Sequence, residues 1–175
     1  MPASRRDLMA RLASLGIRTE TREHAPVFTV AEAQRLRGEI PGAHTKNLFL
    51  KDEKGALYLI VCLEDARIDL KAIPGVIGSR RLSFGKPDLL TEVLGVEAGS
   101  VTPFALVNAA PGRLEVILDT AMLAEESLNF HPLKNDATTT IAAADLVTFI
   151  RSCGHEPKIL PLSEPQLQSA ERSAI

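Results

Sequence analysis

Two neighbouring polar residues stand at the beginning of an apolar strand and could contact a substrate. Residues 43–50, AHTKNLFL, contain Lys46 and Asn47 just before the apolar part of this stretch. Strand alternation places Lys46 on the same face as Leu48 and Leu50. A lysine on such a face either extends its ammonium group outward to solvent, or lines a cleft as a fixed cation for a carbonyl or anionic oxygen. The residues alone leave both interpretations open.

A histidine near the end of another predicted strand is the candidate for proton transfer or hydrogen bonding. His131 lies in NFHP, where Pro132 begins a rigid loop, and this position can direct an imidazole into a cleft. The alternative is a strand-end histidine whose ring is satisfied by the backbone. On the same view, His44 and Thr45 are turn residues. No two of the four histidines lie three to five residues apart, so no metal site is expected within one helix or loop.

A glycine-to-proline loop, GSVTP, is the third candidate. Gly99 permits close approach of the backbone and Pro103 stiffens the exit, so the N–H groups between them could receive a phosphate or ester oxygen. The loop residues are Gly99, Ser100, Val101, Thr102 and Pro103. A plain turn is the alternative. The sequence has no P-loop, GxGxxG, HExxH or GxSxG motif, so an active site would have to be assembled from scattered residues.

The composition is that of an aliphatic globular protein. The chain has 175 residues, of which 45% are apolar and 24% charged, and it contains no Trp. Its net charge of -2 argues against a general electrostatic binder of nucleic acid, but it allows a local basic face. Cys62 and Cys153 are expected to be buried thiols, and no stretch is long enough to span a membrane. We therefore expect a cytoplasmic protein with one domain over residues 1–162 and a polar tail over 163–175.

The elements that would position these residues alternate irregularly along the chain. A capping box at Ser4 and Asp7 predicts a first helix that ends at Gly16. Further helices are predicted in TVAEAQRLRG (capped by Thr29 and Glu32 and ended by Gly38), DLKAI (ended by Pro74), KPDLLTEVLG, residues 120–126 (a single turn) and AAADLVTFIRSCG. Strands are predicted in IRTETREH, RRLSF, the PFALVN part of GSVTPFALVN, LEVILD, SLNFHP, ATTTI and KILPL, with a hairpin in KNLFLKDEKGALYLIVCL. Because regular βαβ alternation is missing, the pattern predicts an α+β domain with a mixed or antiparallel sheet.

Four segments taken together resemble one known family. AHTKNLFLKD, RLSFG, GSVTPFAL and NFHPLKNDATTTI are similar to segments of the YbaK/ProX family of aminoacyl-tRNA deacylases, which are free-standing relatives of the editing domain of bacterial prolyl-tRNA synthetases. The resemblance covers about residues 5–160 and is closest to the alanine-specific ProX type (ProXp-ala). It implies a mixed β-sheet or partly closed barrel flanked by helices, without a metal or organic cofactor.

The resemblance also implies a reaction, the removal of alanine from mischarged Ala-tRNA(Pro) by a positioned water molecule. The signature lysine of the family corresponds to Lys46, with Asn47 beside it, its Gly-x-x-x-Pro loop to Gly99–Pro103, and the histidine of the alanine type to His131. An aminoacyl ester is already activated, so the enzyme has only to position water and stabilise the oxyanion. Lys46 would hold the ester or phosphate oxygens, the loop the terminal adenosine and oxyanion, and His131 and Asn47 the ammonium group or the water.

The expected partners are the tRNA(Pro) acceptor end carrying a small amino acid, and prolyl-tRNA synthetase. The substrate-binding set also includes His44 and Thr45. A pocket that excludes proline would have aliphatic walls, for which the candidates are Leu48, Ile60, Val107 and Phe130. Contacts to tRNA would come from one of two basic clusters, either Arg5, Arg6 and Arg11 or Arg80, Arg81 and Lys86. Two other functions remain open: a Cys-tRNA(Pro) deacylase of the YbaK type, and a non-catalytic module that binds tRNA ends or a synthetase.

Overall fold

The computed structural model describes residues 1–26 and 30–163. Thr29, the predicted cap of the second helix, lies outside these ranges, and so does the predicted tail except for Ser163. The helices are α1 (Arg5–Ser14), α2 (Val30–Glu39), α3 (Ile73–Ile77), α4 (Pro87–Leu94), α5 (Thr120–Leu123) and α6 (Ala143–Ser152), with a 3-10 helix at Pro103–Asn108. The strands are β1 (Thr19–Glu23), β2 (Ala43–Asp52), β3 (Leu57–Leu63), β4 (Leu82–Phe84), β5 (Glu115–Asp119), β6 (Ser127–Phe130), β7 (Ala137–Ala142) and β8 (Lys158–Leu160).

The strands form one mixed sheet, which confirms the predicted fold class. Their order is β1-β7-β6-β2-β3-β5-β8, and β4 pairs with β2. Three pairs are parallel, namely β2 with β6, β3 with β5, and β5 with β8, and the others are antiparallel. Within the described ranges the sheet is not closed, because β1 and β8 stand at opposite ends of the order.

Each face of the sheet is covered by its own hydrophobic core. The larger core joins one face to α1, α4, α6 and the 3-10 helix, and its most buried members include Leu12, Leu59, Leu94, Phe104 and Phe149. The smaller core joins the other face to α3, and it includes Leu50, Ile60, Ile73, Ile77 and Ile117. Residues that alternate along β2 and β3 therefore contribute to different cores.

One edge of β2 is paired only at its two ends. β3 pairs with β2 from Thr45 to Lys51. On the other edge, β6 pairs with Ala43 and His44, whereas β4 pairs with β2 only from Leu50 to Asp52. Among the described residues, positions 45–48 have no strand partner on that side. We call this stretch the open edge of β2, and it contains Lys46 and Asn47.

Three local predictions were wrong, and each has a physical reason. The short helix is not DLKAI ended by Pro74 but Ile73–Ile77, with Pro74 in its first turn, where the missing N–H of proline has no helical partner to lose. Gly38 does not end α2, which continues to Glu39. PFALVN is not a strand but the 3-10 helix, because Pro103 fixes φ at its start and the Thr102 hydroxyl accepts the N–H of Phe104 at 3.2 Å.

Candidate functional site

Lys46 lies on the open edge of β2 and faces the side of the smaller core. In the register of β2 and β3, Lys46 lies opposite Cys62, Leu48 opposite Ile60 and Leu50 opposite Tyr58. Lys46 therefore shares a face with Leu48 and Leu50, as strand alternation predicted. The side chain does not extend freely into solvent, because its Nζ donates to the backbone oxygen of Ala66 at 2.5 Å. The loop after β3 therefore holds the ammonium group beside the sheet.

The thiol opposite Lys46 is not a nucleophile. Burial, opposed by the charge of Lys46 and assisted by that of Asp119, raises the pKa of Cys62 to about 11. A thiol with this pKa carries almost no thiolate at neutral pH. The chemistry available on this stretch is therefore that of the lysine.

Two buried polar atoms beside Lys46 have no hydrogen-bond partner in the described part of the chain. They are Nε2 of His44 and Oδ1 of Asn47. Buried polar atoms are nearly always paired with protein or water, so an unpaired one marks a place where a ligand or an ordered water can bind. Asn47 pairs with Val61 of the larger core, and its side chain therefore starts from the face opposite to that of Lys46. His44 lies on the lysine face and borders a hollow of about 440 Å³.

His131 follows the last residue of β6 and is fixed by the backbone of β7. Its Nδ1 is 3.0 Å from the oxygen of Ala137. Because a carbonyl can only accept, Nδ1 carries the proton of the neutral ring and Nε2 keeps a free lone pair. Burial lowers the pKa of His131 from 6.5, the nearby His24 lowers it further, and the Ala137 hydrogen bond and Asp136 oppose the shift. The neutral ring with an acceptor at Nε2 is therefore favoured.

His131 lies on the same face of the sheet as Lys46. His24 accepts or donates a hydrogen bond with Thr138 at 2.8 Å, and its ring centroid is 6.4 Å from that of His131. Thr138 points away from the larger core, because Ile141 of the same strand contributes to that core. The parallel pairing of His44 with Asn129 on the neighbouring strands continues the same face from β6 to β2.

The GSVTP loop is largely packed into the protein. Ser100, Thr102 and Pro103 are buried, and Gly99 is exposed with a φ of +90°. The N–H groups of Val101 and Thr102 have no hydrogen-bond partner within the described ranges, whereas that of Ser100 donates to Glu97 O. The loop thus keeps two unpaired donors, as a site for an oxyanion requires.

The GSVTP loop lies beside the loop that follows His131. A Cβ added at Gly99 would be 3.9 Å from the side-chain nitrogen of Asn135. The rings of Phe104 and Phe130 also meet edge to face, with centroids 5.8 Å apart. Phe104 directly follows the GSVTP loop and Phe130 directly precedes His131, so this contact joins the two segments. The fold therefore brings GSVTP next to the His131 segment.

The four residues predicted to line a proline-excluding pocket do not form a single wall. Leu48 and Ile60 pair across β2 and β3 and pack on the smaller core. Phe130 is buried in the larger core, and Val107 packs against it from the 3-10 helix. The two pairs thus lie on opposite faces of the sheet, so at most one pair borders the lysine face.

The two basic clusters differ in how they are used inside the protein. Arg5 forms ion pairs with Glu23 and Asp136, at 3.2 and 2.5 Å. Arg11 donates to Ser152 O. The second cluster consists of exposed side chains with no hydrogen bond or ion pair to the rest of the described chain, namely Arg80, Arg81 and Lys86. In the first cluster only Arg6 is exposed and without such a bond in the described chain, so the second cluster offers more cations to an external anion.

Several residues hold the candidate site in place through contacts that the sequence did not predict. Thr45, which is predicted to bind substrate, also donates its hydroxyl to the backbone oxygen of Asn129 at 2.7 Å and joins β2 to β6. Asn129 is 4% exposed, donates to Pro41 O and accepts from Thr140. His24 also belongs to this group, because its ring centroid lies 6.4 Å from that of His131. Its sequence neighbours contain no signal of its contact with His131, because the contact depends on the pairing of β1 with β7.

In the residues that the structure describes, no group of three or more His, Cys, Asp or Glu side chains is arranged to hold a metal ion. None of the helices in those ranges has the length and apolar character needed to cross a membrane.

A model of the family described as aminoacyl-tRNA editing domain matches residues 24–149, a range that contains the open edge of β2, the GSVTP loop and His131. The chain belongs to this family. The match confirms the resemblance based on the four sequence segments.

Curated relatives and solved structures agree with this membership. The prolyl-tRNA synthetase associated domain-containing protein 1 of Bos taurus is 41% identical over 158 residues, which cover 87% of this chain and 92% of the relative. The prolyl-tRNA editing protein ProX of Acetoanaerobium sticklandii is 35% identical over 156 residues, covering 89% and 95%. A crystal structure described as a candidate trans-editing enzyme for prolyl tRNA synthetase has the same fold, with a TM-score of 0.69, 23% identity, and coverage of 92% and 98%.

Proposed function

We propose that this member of the aminoacyl-tRNA editing family removes alanine from mischarged Ala-tRNA(Pro) by hydrolysis of the aminoacyl ester. The observation that carries the proposal is the open edge of β2. There Lys46 is held by Ala66 O, and within the described ranges two buried atoms lack partners, Oδ1 of Asn47 on the open edge and Nε2 of His44 just before it. A similarity to a relative named prolyl-tRNA editing protein ProX supports the choice of tRNA.

In the proposed reaction, water attacks the ester carbonyl carbon. The bond from that carbon to the ribose oxygen breaks, the ribose oxygen takes up the proton that the water releases, and free alanine and tRNA leave. His131 Nε2 accepts the proton from the water, because its Nδ1 is already bonded to Ala137 O. No covalent intermediate is needed, since the ester is an activated acyl group.

Stabilisation of the developing oxyanion falls to fixed donors. We assign the ammonium group of Lys46 and the unpaired N–H groups of Val101 and Thr102 to the ester and terminal-phosphate oxygens. Gly99 allows the backbone to approach the terminal adenosine closely. Asn47 Oδ1, whose side chain starts from the face opposite to that of Lys46, accepts a hydrogen from the substrate ammonium or the water where the substrate crosses the open edge of β2. His44, two residues before Lys46 on the same face, offers Nε2 as a further substrate contact.

Specificity for a small amino acid has a physical basis in this arrangement. A synthetase pocket gains only about 1–3 kcal/mol from one extra methylene, so it cannot strongly reject a smaller substrate. A second site that admits alanine and excludes proline corrects this error. Leu48 and Ile60, on the lysine face, are the candidate walls.

The test is a deacylation assay of the purified protein with Ala-tRNA(Pro), Cys-tRNA(Pro) and Pro-tRNA(Pro). Hydrolysis of the alanyl ester with the prolyl ester spared is the expected result. Preferential hydrolysis of the cysteinyl ester would replace the proposal with the YbaK-type reaction. Binding of all three tRNAs without any turnover would identify a non-catalytic module and would sink the enzyme hypothesis.

A further inference from the structure

Phe84 is a large apolar side chain that the protein leaves in solvent. It is the last residue of β4 and is 63% exposed, whereas Leu82 of the same strand is buried in the smaller core. An exposed aromatic ring at a strand end keeps its apolar surface in contact with water and contributes nothing to either core. The exposed ring is therefore available for a contact outside the chain.

The backbone at Phe84 is held rigidly. Phe84 pairs with Leu50 of β2, and the next residue, Gly85, donates its N–H to Phe49 O at 2.9 Å. A Cβ at Gly85 would come within 2.5 Å of the Phe49 ring, so the chain packs closely on β2 at this point. The Phe84 ring is thus presented from a fixed support, which reduces the entropy lost when a ligand binds.

Phe84 lies on the same face of the sheet as Lys46. Directly opposite residues of an antiparallel pair point to one side, so Phe84 shares the face of Leu50, Leu48 and Lys46. Lys46 and Leu50 are about 13 Å apart along the strand, at about 3.3 Å per residue. Because stacked nucleotides rise about 3.4 Å each, this separation corresponds to about four of them.

The charge around Phe84 is positive in a chain that is negative overall. Residues 51–54 and 80–88 contain five basic and three acidic side chains, a net +2 against -2 for the whole chain. Of the acids, Asp52 is buried and its carboxylate accepts backbone N–H groups, including that of Arg80, so only Glu53 and Asp88 face solvent. The region is therefore suited to a polyanion.

We infer that Phe84 is a stacking platform for a base of the unpaired 3′ end of tRNA, upstream of the terminal adenosine, with Arg80, Arg81 and Lys86 beside it for the phosphates. An aromatic ring flanked by cations is the arrangement that binds single-stranded nucleic acid, because every base has a π-face and every linkage carries a negative charge. The inference rests on the proposed function for its choice of ligand. It deepens that function by naming the surface that receives the nucleotides preceding the reacting ester.

The first experiment measures binding of an uncharged tRNA(Pro) acceptor microhelix, with its unpaired 3′ end, to the wild-type protein and to Phe84→Leu, Phe84→Tyr and Phe84→Ala. We expect Leu and Ala to weaken binding about 10- to 100-fold and Tyr to retain it, because base stacking requires the ring. Ile159→Ala is the matched control, since Ile159 is 46% exposed on β8, which lies three strands from β2 at one end of the sheet. Wild-type binding by Phe84→Leu would overturn the inference.

A second measurement separates stacking from charge. The slope of log affinity against log salt should stay unchanged in Phe84→Leu and should fall by about one in Arg81→Ala. Loss of prolyl-tRNA synthetase binding by Phe84→Ala, with microhelix affinity unchanged, would overturn the inference in favour of a protein contact. Because the microhelix carries no ester, its binding can depend on Phe84 even if the deacylation assay finds no turnover, so the two proposals fail independently.

Discussion

The imidazole rings of His131 and His24 lie with their centroids 6.4 Å apart, on the face of the sheet that also carries Lys46. The ring of His131 is anchored through Nδ1 to Ala137 O, and that of His24 through Nδ1 to Ala25 O and through Nε2 to Thr138. Burial and the neighbouring His24 both lower the pKa of His131. The pair therefore keeps His131 in the neutral form that a proton acceptor requires.

The first prediction concerns the pH dependence of deacylation. Because the pKa of His131 lies below 6.5, its Nε2 is free above that pH and becomes protonated as the pH falls further. We expect kcat/KM for Ala-tRNA(Pro), measured from about pH 5 to 8, to hold near neutrality and to fall on the acid side below 6.5. His131→Asn cannot titrate, so it should lower the plateau by about 100-fold and abolish the acid decline. An unchanged acid decline in that variant would exclude His131 as its source.

The neighbour of His131 provides a second test of the same assignment. His24→Asn removes a group that lowers the pKa of His131, while Asp136, which raises it, remains. The acid decline in kcat/KM should therefore move to higher pH in this variant. A shift to lower pH, or none, would show that the ring of His24 does not act on His131.

Replacing Lys46 should remove a donor to the developing oxyanion. We expect Lys46→Ala to lower kcat for Ala-tRNA(Pro) by about 100- to 1,000-fold, the usual effect of losing one such donor. Lys71→Ala, which removes an exposed lysine from a turn distant in sequence from the open edge, is the control for charge alone. Equal loss of affinity with kcat preserved would point to a binding module instead of an enzyme.

The GSVTP loop can be tested with two glycines of similar backbone conformation. Gly99 and Gly112 have φ values of +90° and +82°, and neither has an atom closer than 3.9 Å to an added Cβ. Alanine should therefore cost each site a similar free energy of unfolding, about 1–2 kcal/mol. Only Gly99→Ala should also reduce deacylation, because only this glycine precedes the unpaired N–H groups. Equal activities of the two variants, at equal stability, would contradict a role for the loop backbone.

Asn129 is expected to stabilise the junction of β2 and β6. Its side chain is buried, donates to Pro41 O and accepts from Thr140. Asn129→Ala therefore removes one hydrogen bond from each of these two partners. We expect a loss of about 1–3 kcal/mol in the free energy of unfolding, measured by urea denaturation. The control is Thr148→Ala on the exposed side of α6, which should change stability by less than about 0.5 kcal/mol. A loss at Asn129 no larger than the control would show that the junction is held by other contacts.

Local sequence determined much of the secondary structure. The capping box of Ser4 and Asp7 is present at the start of α1, and Gly95 ends α4 with a φ of +66°. The alternation that assigned Lys46 to the face of Leu50 was likewise correct, because side chains of any strand point alternately to its two faces. The family resemblance named the candidate residues, since short segments in a fixed order survive changes elsewhere in the chain.

Tertiary pairing decided what those residues have as neighbours. The contact of His24 with His131 exists only because β1 pairs with β7, and the open edge of β2 exists because β6 and β4 each cover only one of its ends. The separation of Leu48 from Phe130 by the sheet also depends on the assembled strands. Local sequence patterns indicate the secondary structure that a segment favours and the face on which each side chain lies. Strand order and register arise from the packing of segments that are distant in sequence. The sequence alone therefore indicated which residues can do chemistry, and the fold determined which of them face the same space.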